Sequence, residues 1–96
     1  MPVLLVRKGK TGNSEYLLTD RLTVIGKSEQ ATVRLHGWFA PEAAAQINRR
    51  EDNAYYLGAA RRVPSVNGQP VLRPTRLVPG DIIDVAGIRL EFIYRD

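Results

Sequence analysis

The stretch LVPGDIIDVAGIRLEF, residues 77–92, combines a tight turn with a hairpin. Pro79 and Gly80 suit the two central positions of a type II turn, where proline presets φ and glycine accepts a positive φ. The next two runs, IIDVA and IRLEFIYR, form the arms of a hairpin around Gly87. In the second arm Leu90 and Phe92 belong to an apolar series at every second position, which predicts a half-buried strand.

The same pattern of short apolar runs broken by turn residues extends back through the rest of the chain. Strand candidates are VLLVRK (3–8), EYLLT (15–19), LTVIGK (22–27), ATVRL (31–35), AAQINR (44–49), AYYLG (54–58) and QPVL (69–72). About ten short strands with a turn every eight to twelve residues predict an all-β sandwich. One stretch, FAPEAAAQI (39–47), also carries helix-start signals, because Pro41 and Glu42 suit the first turn of a helix.

Composition indicates one small domain in a reducing compartment. The chain has 96 residues and no cysteine, whereas small secreted domains usually depend on disulfides. We therefore expect a cytoplasmic location. No apolar run approaches the length of about 20 residues that spans a membrane, so we expect neither a signal peptide nor membrane insertion. The net charge is +4, mostly from arginine, which suits an acidic partner but is equally ordinary for solubility.

Residues that could support catalysis are few. His36 is the only histidine and has no cysteine near it, so we expect neither a metal site nor a catalytic residue there. Asp81 and Asp84 flank a strand start, which suggests turn capping rather than an acid–base pair. The segment GKTGNS (9–14) lacks the spacing of a phosphate-binding loop. We predict a protein that is not an enzyme and needs no cofactor.

The aromatic residues favour a structural role over a nucleic-acid interface. Trp38 and Phe39, in HGWF, could plug one end of the sandwich or form an exposed binding spot, and the first is favoured. Tyr55 and Tyr56 are adjacent, so on a strand they face opposite sides and do not form a stacking platform. We therefore expect no nucleic-acid partner.

Several elements, in order and spacing, resemble those of a forkhead-associated (FHA) domain. The similar segments are LTVIGKS (22–28), ATVRL, YYL (55–57), VNGQPV (66–71) and the closing LVPGDIIDVAGIRLEF. The resemblance covers roughly residues 3–95, so residues 1–96 are expected to form one FHA-like (SMAD/FHA) β-sandwich of about 10–11 short strands, a module of a larger, bacterial protein. It implies a signalling or assembly module that binds phosphothreonine peptides through loops at one end.

The resemblance also implies that the recognition loop has lost its phosphate contacts. Counting back from Ile47, Pro41 stands where the family has a phosphate-contacting serine, Glu42 where it has arginine, and Ala44 where it has a packing histidine. Proline offers neither a hydroxyl nor an N–H to phosphate. Glu42 adds a negative charge that repels a dianion.

Other positions of that implied site keep positive charge. Lys27 stands in place of arginine, and Arg62 falls where the family has a peptide-gripping asparagine, although an insertion could instead place Asn67 there. We expect a non-enzymatic module that binds a protein partner after loss of phosphothreonine recognition. The alternative is a rewired site for a phosphopeptide or another anion, and its candidate residues are Lys27, Ser28, Arg34, Arg61 and Arg62.

Overall fold

A computed structural model describes residues 1–7, 13–36 and 40–95, and this part of the chain contains eleven strands and no helix. The strands are β1 Pro2–Arg7, β2 Asn13–Leu17, β3 Leu22–Gly26, β4 Val33–Arg34, β5 Ala45–Arg49, β6 Tyr55–Ala59, β7 Ser65–Val66, β8 Gln69–Pro70, β9 Thr75–Arg76, β10 Ile82–Val85 and β11 Ile88–Tyr94. The predicted all-β sandwich is confirmed.

Two sheets form the sandwich. The six-stranded sheet has the order β2-β1-β11-β10-β7-β8, and the five-stranded sheet has the order β4-β3-β5-β6-β9. Short strand β4 runs parallel to β3, while the other pairs are antiparallel. Strand β1 pairs with β11, so the first and last strands lie side by side, and the amino group of Met1 donates to the carbonyl of Arg95 at 2.7 Å.

The core lies between the sheets and follows the predicted alternation of side chains. Leu4, Leu57, Leu90 and Phe92 are each 0% exposed. Burying an apolar side chain of this size stabilises the fold by roughly 1.5–3 kcal/mol. Tyr55 packs on Phe92 with 5.9 Å between ring centroids, which fixes the inward side of β6 and turns Tyr56 outward.

The turn before β10 has the predicted geometry. Gly80 has a φ of +97°, and the backbone N–H of Asp81 donates to the carbonyl of Val78 at 3.1 Å. The buried carboxylate of Asp81 accepts the Val78 N–H at 2.9 Å and the side-chain amide of Asn67 at 2.9 Å. Asp81 therefore caps the turn and ties it to the β7–β8 hairpin.

Several local predictions were wrong. Strands β4 and β8 span two residues each rather than residues 31–35 and 69–72, and the short strands β7 and β9 were not predicted. Asp84 does not cap a turn but pairs with Arg89 across the β10–β11 hairpin, with 2.8 Å between Oδ1 and Nε. Strand β2 ends at Leu17 rather than at residue 19, because the chain then leaves this sheet to enter the other one. The helix-start signals at Pro41 lead to no helix: the segment is a loop that continues into β5, as the resemblance implied, and the Pro41 carbonyl accepts the N–H of Lys27 at 2.8 Å.

Candidate functional site

A cleft opens at one end of the sandwich, where the ends of β3 and β6 meet the loop before β5. The side chains that line it with charge are Lys27, Glu42, Arg61 and Arg62, and Pro41 lies among them. We call these five residues the end cleft. All four charged residues are exposed, so three cations and one carboxylate face the same opening.

Backbone hydrogen bonds hold the β4–β5 loop against the end of β3. Besides the Lys27–Pro41 bond, the N–H of Ser28 donates to the carbonyl of Glu42 at 3.2 Å, and the N–H of Ala44 donates to Ile25 at 2.7 Å. These N–H groups already have acceptors within the protein. The Ser28 hydroxyl accepts the N–H of Gln30 at 3.2 Å, so Ser28 stabilises its own turn.

The other wall of the end cleft, formed by Arg61 and Arg62, is hydrogen-bonded to the same β4–β5 loop. The N–H of Arg61 donates to the carbonyl of Ala43 at 3.1 Å, and the N–H of Arg62 donates to the carbonyl of Ala44 at 3.0 Å. Ala44 itself is 0% exposed, so its methyl group belongs to the core. The end cleft is therefore built on a rigid backbone framework, and its chemistry is set by exposed side chains.

The structure does not bring every candidate residue to this cleft. Lys27, Arg61 and Arg62 line it, and Ser28 lies next to Lys27 without lining it. Arg34 is exposed on edge strand β4 and does not line it. His36 is exposed. Trp38 and Phe39, considered as a plug or a binding spot, lie outside the described residues.

The β7–β8 hairpin clarifies which residue lies at the cleft. Asn67 and Gly68 form its turn with φ values of +51° and +83°. The Asn67 side chain is engaged there, since its carbonyl oxygen accepts the N–H of Ile82 at 2.9 Å while its amide donates to Asp81. Arg62, not Asn67, therefore lines the end cleft.

A second group of charged residues was not anticipated from the sequence. Arg21, Arg50 and Tyr56 line a depression on the outer face of the five-stranded sheet. The guanidinium carbon of Arg50 lies 4.2 Å from the centroid of the Tyr56 ring. The pairs Arg49-Arg50 and Tyr55-Tyr56 are visible in the sequence, but only the β5–β6 hairpin brings Arg50 over Tyr56.

Within the described ranges, no group of three or more metal-ligating side chains could hold an ion, and no helix is long and apolar enough to cross a membrane.

No protein-family model matches the chain, and no curated protein matches it. Solved structures do match. An FHA domain from Chlamydia trachomatis superposes with a TM-score of 0.86 at 16% identity, covering 99% of this chain and 98% of that one.

The chain has the FHA fold. The N-terminal FHA domain of S. cerevisiae Rad53p, solved with a phosphothreonine peptide, aligns with a TM-score of 0.79 at 18% identity, covering 100% of this chain and 94% of that one. The FHA domain of FhaA, solved with the intracellular domain of another protein, aligns with a TM-score of 0.81 at 21% identity over 96% and 99% of the two chains. The FHA resemblance inferred from the sequence is thus confirmed at the level of the fold.

Proposed function

We propose that this FHA-fold protein is a non-enzymatic interaction module that binds a protein partner and no longer recognises phosphothreonine through the end cleft. One of the similar FHA structures contains a phosphothreonine peptide and another contains a protein domain, so partner binding fits the fold. A cytoplasmic location, as one module of a larger protein, stays a prediction.

Pro41 is the observation that carries the proposal. It lies in the end cleft, at the position where the resemblance implies a phosphate-contacting serine. A proline there has no hydroxyl and no N–H to donate. The nearby N–H groups of Lys27 and Ser28 are bound to the carbonyls of Pro41 and Glu42, so the backbone does not replace the missing donors. The Glu42 carboxylate at the same opening opposes a dianion.

The second candidate function is anion recognition by the three cations of the end cleft. Lys27, Arg61 and Arg62 line one opening, and arginine can bind phosphate in a bidentate manner. If these cations bind a phosphopeptide, Lys27→Ala and Arg62→Ala should each weaken binding by about 1.5–3 kcal/mol, the value of a charged hydrogen bond.

A titration of the ¹⁵N-labelled protein with a degenerate phosphothreonine peptide library, and with its unphosphorylated counterpart, separates the two functions. We expect no phosphate-dependent shifts at Lys27, Ser28 or Arg62. Phosphate-dependent shifts there, lost in Lys27→Ala and Arg62→Ala, would overturn the proposal in favour of anion recognition.

A restored variant serves as the positive control for that titration. Pro41→Ser with Glu42→Arg, Lys27→Arg and Arg62→Asn returns the residues that the resemblance implies. Phosphate-dependent shifts in this variant, but not in the wild-type protein, would show that these four side chains account for the loss of phosphothreonine recognition. The backbone framework around Ala44 should be the same in both proteins.

A further inference from the structure

The outer face of the five-stranded sheet carries a polar groove. Leu22, Asn48, Tyr56 and Arg76 are cross-strand neighbours in one row. The residues adjacent to these along each strand form the matching inner row, in which Thr23, Ile47 and Leu57 are buried, so the first row faces outward. Two adjoining depressions share Asn48, Arg50 and Tyr56 and together form what we call the outer groove.

Arginines surround this groove. Arg21, Arg49 and Arg50 line one half, Arg73 lines the other, and Arg76 stands beside Tyr56 on β9. The acidic residues that line it are Glu51 and Asp52. The Asp52 carboxylate already accepts the N–H of Ala54 at 2.9 Å and the hydroxyl of Tyr56 at 3.2 Å. The groove therefore has an excess of positive charge.

On the opposite face of the sandwich, arginines form ion pairs with carboxylates of the same chain. On the outer side of the six-stranded sheet, Arg89 pairs with Asp84 through two hydrogen bonds, and Arg95 pairs with Glu15. Among the described residues, no carboxylate forms an ion pair with Arg21, Arg50, Arg73 or Arg76. The outer groove thus presents guanidinium groups whose N–H donors are available for carboxylates from another molecule.

The side chain of Arg50 is already ordered for a contact with a carboxylate. Its guanidinium lies over the Tyr56 ring, and Tyr56 is in turn oriented by its bond to Asp52. A cation stacked on an aromatic ring keeps its N–H edges free for a planar acceptor. Because less side-chain entropy remains to be lost on binding, this arrangement favours bidentate pairing with a carboxylate.

We propose that the outer groove is a second docking surface, which binds an acidic segment of a partner protein through its arginines. The inference deepens the proposed function by naming a face and a partner chemistry, and it rests on that function only in requiring a protein partner. Asn48 and Gln46 offer amide groups to a peptide backbone along the groove. Arg50 covers one face of the Tyr56 ring, which makes that face unavailable for stacking with nucleic-acid bases.

A short acidic peptide tests the proposal on the intact protein. The probe is a glutamate-rich peptide of about eight residues, which extends to roughly 26 Å. We expect it to shift the resonances of Asn48, Arg50 and Gly58, and its glutamine counterpart to leave them unchanged. Binding should weaken as salt is added, because exposed charges are screened.

Two variants with matched losses of charge identify the surface. Arg50→Gln combined with Arg73→Gln should weaken the acidic peptide roughly tenfold, since exposed ion pairs contribute modestly and two are removed. Arg89→Gln combined with Arg95→Gln removes the same charge from the opposite face and should change affinity less than about twofold. Equal weakening by both double variants would overturn the proposal, as would shifts confined to the end cleft.

Competition experiments distinguish an acidic peptide from a nucleic acid or a membrane surface as the partner. A single-stranded oligonucleotide or phosphatidylserine vesicles that bound the outer groove more tightly than the peptide would also overturn the proposal. The two proposals fail separately. Phosphate-dependent shifts at Lys27 and Arg62 would contradict the proposed function alone, whereas an acidic peptide that leaves Arg50 and Asn48 unshifted would contradict the second docking surface alone.

Discussion

Gly26 is the residue on which the shape of the end cleft depends most directly. A Cβ atom at this position would lie 2.0 Å from the carbonyl oxygen of Glu42 and 2.8 Å from the Cα of Ala43. These neighbours are backbone atoms, so they cannot turn aside as a flexible side chain would. The absence of a side chain at Gly26 therefore lets the β4–β5 loop lie against the end of β3 and accept the N–H groups of Lys27 and Ser28.

We expect Gly26→Ala to displace that loop and to lower the free energy of unfolding by about 1–3 kcal/mol, the usual cost of overpacking. Urea unfolding measures the loss, and amide shifts at Lys27 and Glu42 report the displacement. Gly58→Ala is the matched control, because a Cβ there meets nothing within 4 Å. A loss for Gly58→Ala as large as that for Gly26→Ala would contradict the steric explanation.

The β10–β11 hairpin contains a strained turn. Ala86 and Gly87 have φ values of +49° and +81°, and two successive positive φ values are typical of a type I′ hairpin turn. Gly87 adopts this conformation readily, but an alanine in the left-handed region costs roughly 1–2 kcal/mol.

Ala86→Gly should therefore stabilise the protein, by about 0.5–1 kcal/mol after the greater chain entropy of glycine is deducted. Thermal and urea unfolding both measure this gain. Gly87→Ala provides the opposite test and should destabilise the hairpin by a similar amount. Destabilisation by Ala86→Gly would mean that the Ala86 side chain, exposed in the structure, makes a favourable contribution.

The β5–β6 hairpin has an acid-sensitive turn. The N–H of Ala54 holds the pKa of Asp52 below its usual value of 3.8; burial opposes this effect, while the Tyr56 hydroxyl and the charge of Arg76 add to it. A carboxyl with a lowered folded-state pKa contributes stability above its unfolded-state pKa. That contribution is lost as pH falls from 3.8 through the lowered value.

Asp52→Asn should remove this part of the pH dependence, because asparagine can accept the Ala54 N–H but does not titrate. The difference in unfolding free energy between wild type and variant should shrink as pH falls below 3.8. An NMR titration of the Asp52 carboxyl gives its folded-state pKa directly. Tyr56→Phe should raise that pKa only part of the way, and a wild-type value at or above 3.8 would contradict the prediction.

The first and last strands, β1 and β11, are neighbours in the six-stranded sheet. Strand β1 pairs with β11 over five residue pairs, from Pro2 with Tyr94 to Val6 with Leu90. Contacts between residues so far apart in the chain form only after a large loss of chain entropy. The core around Phe92 therefore depends on the complete fold rather than on any local hairpin.

Phe92→Ala should cost about 3–5 kcal/mol through lost burial and a cavity, a large part of the roughly 5–15 kcal/mol that stabilises a protein of this kind. Circular dichroism during urea unfolding measures the loss. Tyr94→Ala in the same strand is the control, because Tyr94 is 52% exposed. Its removal should cost only about 1 kcal/mol, mainly the edge-to-face contact with Phe92.

Most of the strand pattern, the turn at Gly80 and the FHA-like order of the elements were predictable from the sequence alone, but the short strands β7 and β9 were not. The predictable features are local, because alternation and turn residues act between neighbours in the chain. Even so, FAPEAAAQI carries helix signals but forms no helix, because the carbonyls of Pro41 and Glu42 accept the N–H groups of Lys27 and Ser28 just after β3. Local propensity was overridden there by a tertiary contact.

Which charged residues converge depends on the tertiary structure. The sequence grouped Lys27, Ser28, Arg34, Arg61 and Arg62 as one candidate site, and the fold brings Lys27, Arg61 and Arg62 to the end cleft while Arg34 stays on an edge strand. The excess of arginine suited an acidic partner, but the outer groove was not located, since its arginines come from four separate segments. Which side chains share a surface depends on strand order and register, and these are set by long-range pairing that a sequence pattern does not encode.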